Sequence, residues 1–133
     1  MSPENVEIIR GTFEEWAQTG ELVYRRLDPE IEWQTRADLP DSGVYRRHDG
    51  VTALTQEWGT LFEDLRFEVQ EYIDRGDCVV VPLVVRGRIR GSEQDVTMLE
   101  TWVMRLCDGL IVQVHEYGTV EEGLQGVALE AER

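Results

Sequence analysis

Glu100 and Glu116 are the residues whose type and spacing could do chemistry. They lie on either side of Cys107-Asp108-Gly109, inside a stretch from Val96 to Gly118 that reads as two β-strands joined by a hairpin turn. On the first strand Met98, Glu100, Trp102, Met104 and Leu106 share a face. On the second, Leu110, Val112, Val114 and Glu116 do so. A three-residue loop with Gly109 in the left-handed conformation sets Leu106 opposite Leu110, Met104 opposite Val112, Trp102 opposite Val114 and Glu100 opposite Glu116. The apolar register thus brings two carboxyls together on the face that should be buried. In a low dielectric they cannot both ionise easily, so one becomes an acid and the other a base near neutral pH. Glu116 is the expected base and Glu100 its acid partner. Such a pair suits proton transfer next to a carbonyl, or hydration of a reactive ring. An arginine or tyrosine neutralising both would make the pair structural, and a one-residue register error would remove it.

The elements that must position this hairpin follow from periodicity. Residues 3–19 form an amphipathic helix with Ser2 as N-cap, Pro3 at the first helical position, and Val6, Ile9, Phe13, Trp16 and Ala17 as the buried stripe. Gly20 stops it. Residues 21–27 read as a second short helix ended by Asp28-Pro29. Ile31, Trp33 and Thr35 point one way along a strand, and Ala37–Asp49 forms a loop. Residues 51–64 make a third helix with Val51, Leu54, Trp58, Leu61 and Phe62 inward. Strands at 66–74 and 78–90 follow, joined at Asp74–Asp77. The second of these is apolar on both faces, so both should be covered, and Pro82 implies an edge or a bulge. After the hairpin, Thr119 and Glu122 make the capping box of a last helix, whose tail 129–133 should fray. The order gives one α+β domain over residues 1–133, with helices packed on one face of a curved antiparallel sheet.

Trp16, Trp33, Trp58, Phe62 and Trp102 all face inward in this scheme. For any single one of them core packing is the plainer reading, yet four tryptophans converging in so short a chain exceed what a core needs, and indole faces commonly line pockets for small hydrophobic ligands. Tyr45 and His48 sit on the loop near the expected pocket mouth. His48 reads as a surface histidine, with a general base or ligand contact as the alternative. The two histidines are far apart with no paired ligand spacing, so no metal is expected, and no phosphate loop or nucleophile elbow implies a cofactor. Arg86, Arg88 and Arg90 alternate on one strand and read as a solvated or dimer face.

The chain has 133 residues, 27 acids against 13 bases and a net charge of −14; every base is arginine. That charge disfavours nucleic acid and anionic membranes, because no basic stripe exists to meet phosphates. No apolar run is long enough to span a membrane, and the start lacks the pattern of a signal peptide, so a cytoplasmic location is expected. Cys78 and Cys107 read as reduced. Leu99, Val103, Ile111 and Tyr117, with one face of 79–85, make an outer apolar face larger than four helices would cover. A homodimer through that face is expected, with His115 at the interface.

Three segments carry a family resemblance: Asn5–Gly20 leading to Leu27–Trp33, then Val44–Val51, then Cys107–Val112 through Glu116-Tyr117. In order and spacing they resemble the SnoaL-like branch of the nuclear transport factor 2-like superfamily, over nearly the whole chain. The resemblance implies a cone-shaped curved antiparallel sheet wrapped by three to four helices, enclosing one apolar pocket. Homodimers are common in the family. It also implies relatives that are polyketide cyclases, ketosteroid isomerase and limonene epoxide hydrolase, alongside binding proteins without catalysis. Glu116-Tyr117 sits where limonene epoxide hydrolase carries an Asp-Tyr, but Val81, Leu83 and Val85 stand where its Arg and Asp would be sought. Trp102 stands near the position of the isomerase's neutral pocket acid, with Glu100 one pleat away. Neither catalytic set is complete. The family often has glycine in place of Arg47, which implies a differently shaped rim. The expected function is binding of a small hydrophobic molecule, with cofactor-independent cyclase, isomerase or hydrolase chemistry. A non-catalytic binding protein and a dimeric interaction module with a vestigial pocket are the alternatives.

Overall fold

The computed structural model describes residues 3–40 and 42–132; the expected N-cap Ser2 lies outside the described residues. Helix α1 (Pro3–Thr19) ends where Gly20 turns left-handed at φ 76°, with its N–H on the Trp16 carbonyl. Strands β1 (Leu27–Gln34) and β2 (Val44–Arg46) follow, then α2 (Arg47–Leu61), β3 (Phe62–Val69), β4 (Ile73–Asp74), β5 (Cys78–Ile89), β6 (Asp95–Cys107), β7 (Leu110–Tyr117) and α3 (Val120–Ala131). Thr119 caps α3 by accepting the Glu122 N–H at 3.1 Å.

The strands form one sheet in the order β2-β1-β7-β6-β5-β3, with β4 beside β5. β3, β5, β6 and β7 pair antiparallel as expected, but β1 runs parallel to β7, so the sheet is mixed. The sheet curves without closing. α1 and α2 pack Ile9, Phe13, Val51 and Leu54 against its inner face, together with Trp33, Val81, Leu83, Trp102 and Val114. β5 is covered on both sides, as its double apolar pattern required: Val79, Val81, Leu83 and Val85 join that core, while Cys78 and Val80 lie under α3. Pro82 stands where β3 gives way to β4, the one stretch of β5 that needs no N–H on that side; its carbonyl still accepts the Gln70 N–H.

Several expectations are corrected. Residues 21–27 are not a helix but a single 3₁₀ turn at Tyr24–Arg26. Leu27, 2% exposed, is drawn into the sheet beside Ile111, and Asp28-Pro29 becomes an irregularity in β1, with the Asp28 carboxylate accepting the Glu30 N–H. α2 starts four residues early and ends three early, which leaves Leu61 half exposed and not in the stripe. The outer face is also less bare than expected. α3 lies across it, with Leu124 and Val127 over Val80, Val103 and Tyr117. Gly123 makes that close approach possible: a Cβ there would sit 3.0 Å from the Thr101 methyl.

The hairpin register differs in an instructive way. Asp108 (φ 51°) and Gly109 (φ 80°) form a two-residue turn that pairs Cys107 with Leu110 and Leu106 with Ile111. Val112 is then an extra residue, a bulge that restores face matching, so Met104 pairs with Val114 and Trp102 with Glu116. Ile111 therefore faces the core, not the outer surface. Glu100 does not oppose Glu116; it is the diagonal neighbour on the same inner face.

Candidate functional site

Glu100 and Glu116 are 7% and 6% exposed. Each is held by an indole. Trp33 Nε1 donates to Glu116 Oε2 at 2.7 Å, and Trp102 Nε1 donates to Glu100 Oε1 at 2.9 Å. The two indoles meet edge to face with centroids 5.2 Å apart. β1 supplies Trp33, β7 Glu116, and β6 both Glu100 and Trp102. The β1–β7 parallel pairing sets Trp33 beside Val114, which places its N–H within reach of the next inward residue of β7.

Only one cation reaches the pair among the described residues. Arg36, just beyond β1, lies with Nη1 3.9 Å from Glu100 Oε2 and is forked onto Asp38 at 3.0 and 2.7 Å. Its bonds to Asp38 raise its own pKa further, so it stays charged. Gly118 leaves room for it: a Cβ there would lie 2.9 Å from Arg36 Nη2. Burial pushes the Glu100 carboxyl up from the ordinary glutamate range, with the Trp102 donor and Arg36 pulling it back. Glu116 is pushed up to about 8, first by burial and then by the charge of Glu100; the Trp33 donor and Arg36 oppose this. At neutral pH Glu116 therefore keeps its proton.

Both carboxyls open onto a chamber of about 220 Å³. Leu54, Trp58, Phe67, Val85, Met98 and Trp102 wall it. At its mouth Tyr45 donates to Glu57 at 2.8 Å, between Phe62 and the exposed rims of Leu39 and Leu61. The chamber is not filled by its own tryptophans. Of the aromatic residues expected to line it, Tyr45, Trp58, Phe62 and Trp102 do. Trp33 is not in the lining and acts on the chamber only through Glu116. Trp16 stacks on the far side of Trp58 and lines a separate open cleft. His48 is bound elsewhere: Nε2 donates to the Leu27 carbonyl at 3.0 Å and the ring lies against Tyr24. His115 is on the outer face, stacked on Tyr117, with which it shares a 3.1 Å hydrogen bond. Sequence reasoning missed Glu57, which projects from a polar helix face, and Arg36, whose role depends on a turn. Among the described residues no group of three or more metal-ligating side chains occurs.

At the rim Arg47 adopts φ 64°. That left-handed conformation is one that glycine adopts freely, so the arginine here carries backbone strain.

A model of the SnoaL-like domain matches residues 8–114. The chain belongs to the SnoaL-like family. Solved structures share the whole SnoaL-like architecture. An NTF2-like protein of unknown function from Burkholderia pseudomallei is 23% identical, with a TM-score of 0.75 over 94% of this chain and 97% of that one. TerC, co-crystallised with polyporic acid, is 18% identical, with a TM-score of 0.74 over 91% and 95%. A protein of ketosteroid isomerase-like fold from Catenulispora acidiphila, in complex with trimethylamine, is 14% identical, with a TM-score of 0.72 over 88% and 86%. No curated protein sequence matches the chain. No helix among the described residues is long and apolar enough to cross a membrane.

Proposed function

We propose that this SnoaL-like chain binds one small, largely apolar molecule in the inner chamber and that Glu116 exchanges a proton with it. The observation that carries this reading is a carboxyl 6% exposed, fixed by Trp33 and bordering a chamber with mostly apolar walls. An acid in that setting is costly to ionise and serves no ion pair among the described residues, so its value lies in what it meets. Two proteins of the same fold, one in complex with trimethylamine and one co-crystallised with polyporic acid, support small-molecule binding. Chemistry of cyclase, isomerase or hydrolase type then follows without a cofactor. Glu116, which holds its proton at neutral pH, is then the acid, and Glu100, with Arg36 beside it, is the base, the reverse of the roles first assigned. Filling the chamber tests the reading. Met98→Trp should abolish binding of 1-naphthol, followed by calorimetry, while leaving the melting temperature nearly unchanged. Binding that survives the substitution would place the ligand elsewhere.

The reading includes pairing of two copies across the part of the outer face that α3 leaves open, where Leu99 is 69% exposed opposite Val84. Sedimentation at micromolar concentration should give a dimer, and Leu99→Lys a monomer; a parent that sediments as a monomer refutes it.

A further inference from the structure

We propose that the ligand of the chamber carries a positively charged nitrogen: a small apolar ammonium ion, quaternary or protonated, seated among aromatic walls beside Glu116. This rests on the reading that the chamber binds a small molecule, and it names that molecule's chemical class.

The chamber carries the inference, not its acids alone. Three carboxyl groups border it, Glu57, Glu100 and Glu116, and no basic side chain does. Arg36 approaches Glu100 from behind the wall and is already forked onto Asp38, with Glu122 of α3 also in its field. Arg90 bonds the Gly59 and Phe62 carbonyls on the outside of the rim. An anionic ligand would therefore meet no positive charge in the lining. A neutral one would leave the self-repelling pair as it is, with Glu116 obliged to hold a proton. A cation changes the balance. It supplies the counter-charge that Glu116 lacks, since Glu116 makes no ion pair among the described residues. The other surfaces are those that attract an alkylated ammonium: the rings of Tyr45, Trp58, Phe62, Phe67 and Trp102, worth more when water is excluded.

The groups that set the charge of Glu116 are Glu100 from β6, the Trp33 indole from β1 and Arg36 beyond β1, itself tied to Asp38 and in the field of Glu122 from α3; Glu57 from α2 and Tyr45 from β2 border the same chamber. Against that background a bound cation makes the ionised form of Glu116 the stable one, so its proton leaves for solvent on binding. The same event turns Glu116 from acid to base.

Three probes of like size separate the cases: phenyltrimethylammonium, its neutral isostere tert-butylbenzene, and benzoate. Calorimetry near pH 7 in two buffers of different ionisation enthalpy measures affinity and proton release together. Phenyltrimethylammonium should bind roughly ten-fold more tightly than tert-butylbenzene, releasing close to one proton, and benzoate should not bind. In Glu116→Gln the preference for the cation should collapse and the release vanish. tert-Butylbenzene binding as tightly as the cation, or benzoate binding at all, overturns the cation while leaving the chamber reading intact. If none of the three binds and Met98→Trp leaves 1-naphthol binding untouched, both readings fail.

Discussion

Replacing Glu116 by glutamine should make the protein more stable, and by an amount that grows with pH. In the folded state the Glu116 carboxyl is held near 8 against the usual 4.5, so between those values the folded state binds a proton that the unfolded state has released. Stability therefore falls as pH rises through that window and is fully present below it. At about 1.36 kcal/mol per pH unit, the cost is under about 1 kcal/mol at pH 5, about 3 at pH 7 and about 4 at pH 8. Glutamine is neutral at every pH and its amide oxygen can still accept the Trp33 N–H, so it escapes that cost. With roughly 3–5 °C of melting temperature per kcal/mol for a chain of this size, the variant should melt within a few degrees of the parent at pH 5. At pH 8 it should melt about 10 °C or more above it. Thermal melts at both pH values read the difference directly. A variant clearly less stable than the parent at pH 8 refutes the reasoning: Glu116 would then be an ionised partner of Arg36 whose neutralisation leaves a buried charge unmatched.

Trp33→Phe removes the donor that opposes the rise of Glu116, and should cost about 1–3 kcal/mol. It should also move the Glu116 titration upward, read by carbon NMR of labelled glutamate; an unchanged midpoint would mean the indole bond does not act on the acid. Arg47→Gly should stabilise the chain by about 1 kcal/mol in urea unfolding, because φ 64° suits glycine; a loss would show the Arg47–Glu30 contact outweighs the strain. Gly109→Ala should destabilise by about 1–2 kcal/mol, since φ 80° is hostile to a Cβ, and an unaffected melt would mean the turn relaxes freely.

The sheet and its two inner helices were legible because periodicity reports which face is buried, and α1, β5, β6 and β7 each bury a full face. The carboxyl pair was legible for the same reason: Glu100 and Glu116 interrupt apolar faces. Their register was not, because the Val112 bulge is set by the twist and turn of the hairpin and leaves no mark in the alternation. The wrong turn and the missed bulge nearly cancel, which is why both acids still face inward. Arg36 was invisible because alternation with Trp33 and Thr35 puts it on the outward face of the strand; β1 ends at Gln34, so that alternation no longer governs Arg36 and it reaches Glu100. α3's place on the outer face was also hidden. A helix pattern says that one side is buried, not which surface buries it.

The parallel pairing of β1 with β7 sets an order of events. The bond from Trp33 to Glu116 joins residues 83 apart, whereas β5, β6 and β7 follow one another along the chain. Closing the long loop costs entropy before its contacts repay it, so the consecutive strands should zip first and β1 dock late. Until it docks, the chamber lacks a wall and Glu116 faces water as an ordinary carboxylate. Docking must then take a proton from solvent along with the strand. Above neutral pH the final assembly step should slow with each unit of pH, while the earlier zipping of β5 to β7 does not, because proton uptake belongs to the last wall alone.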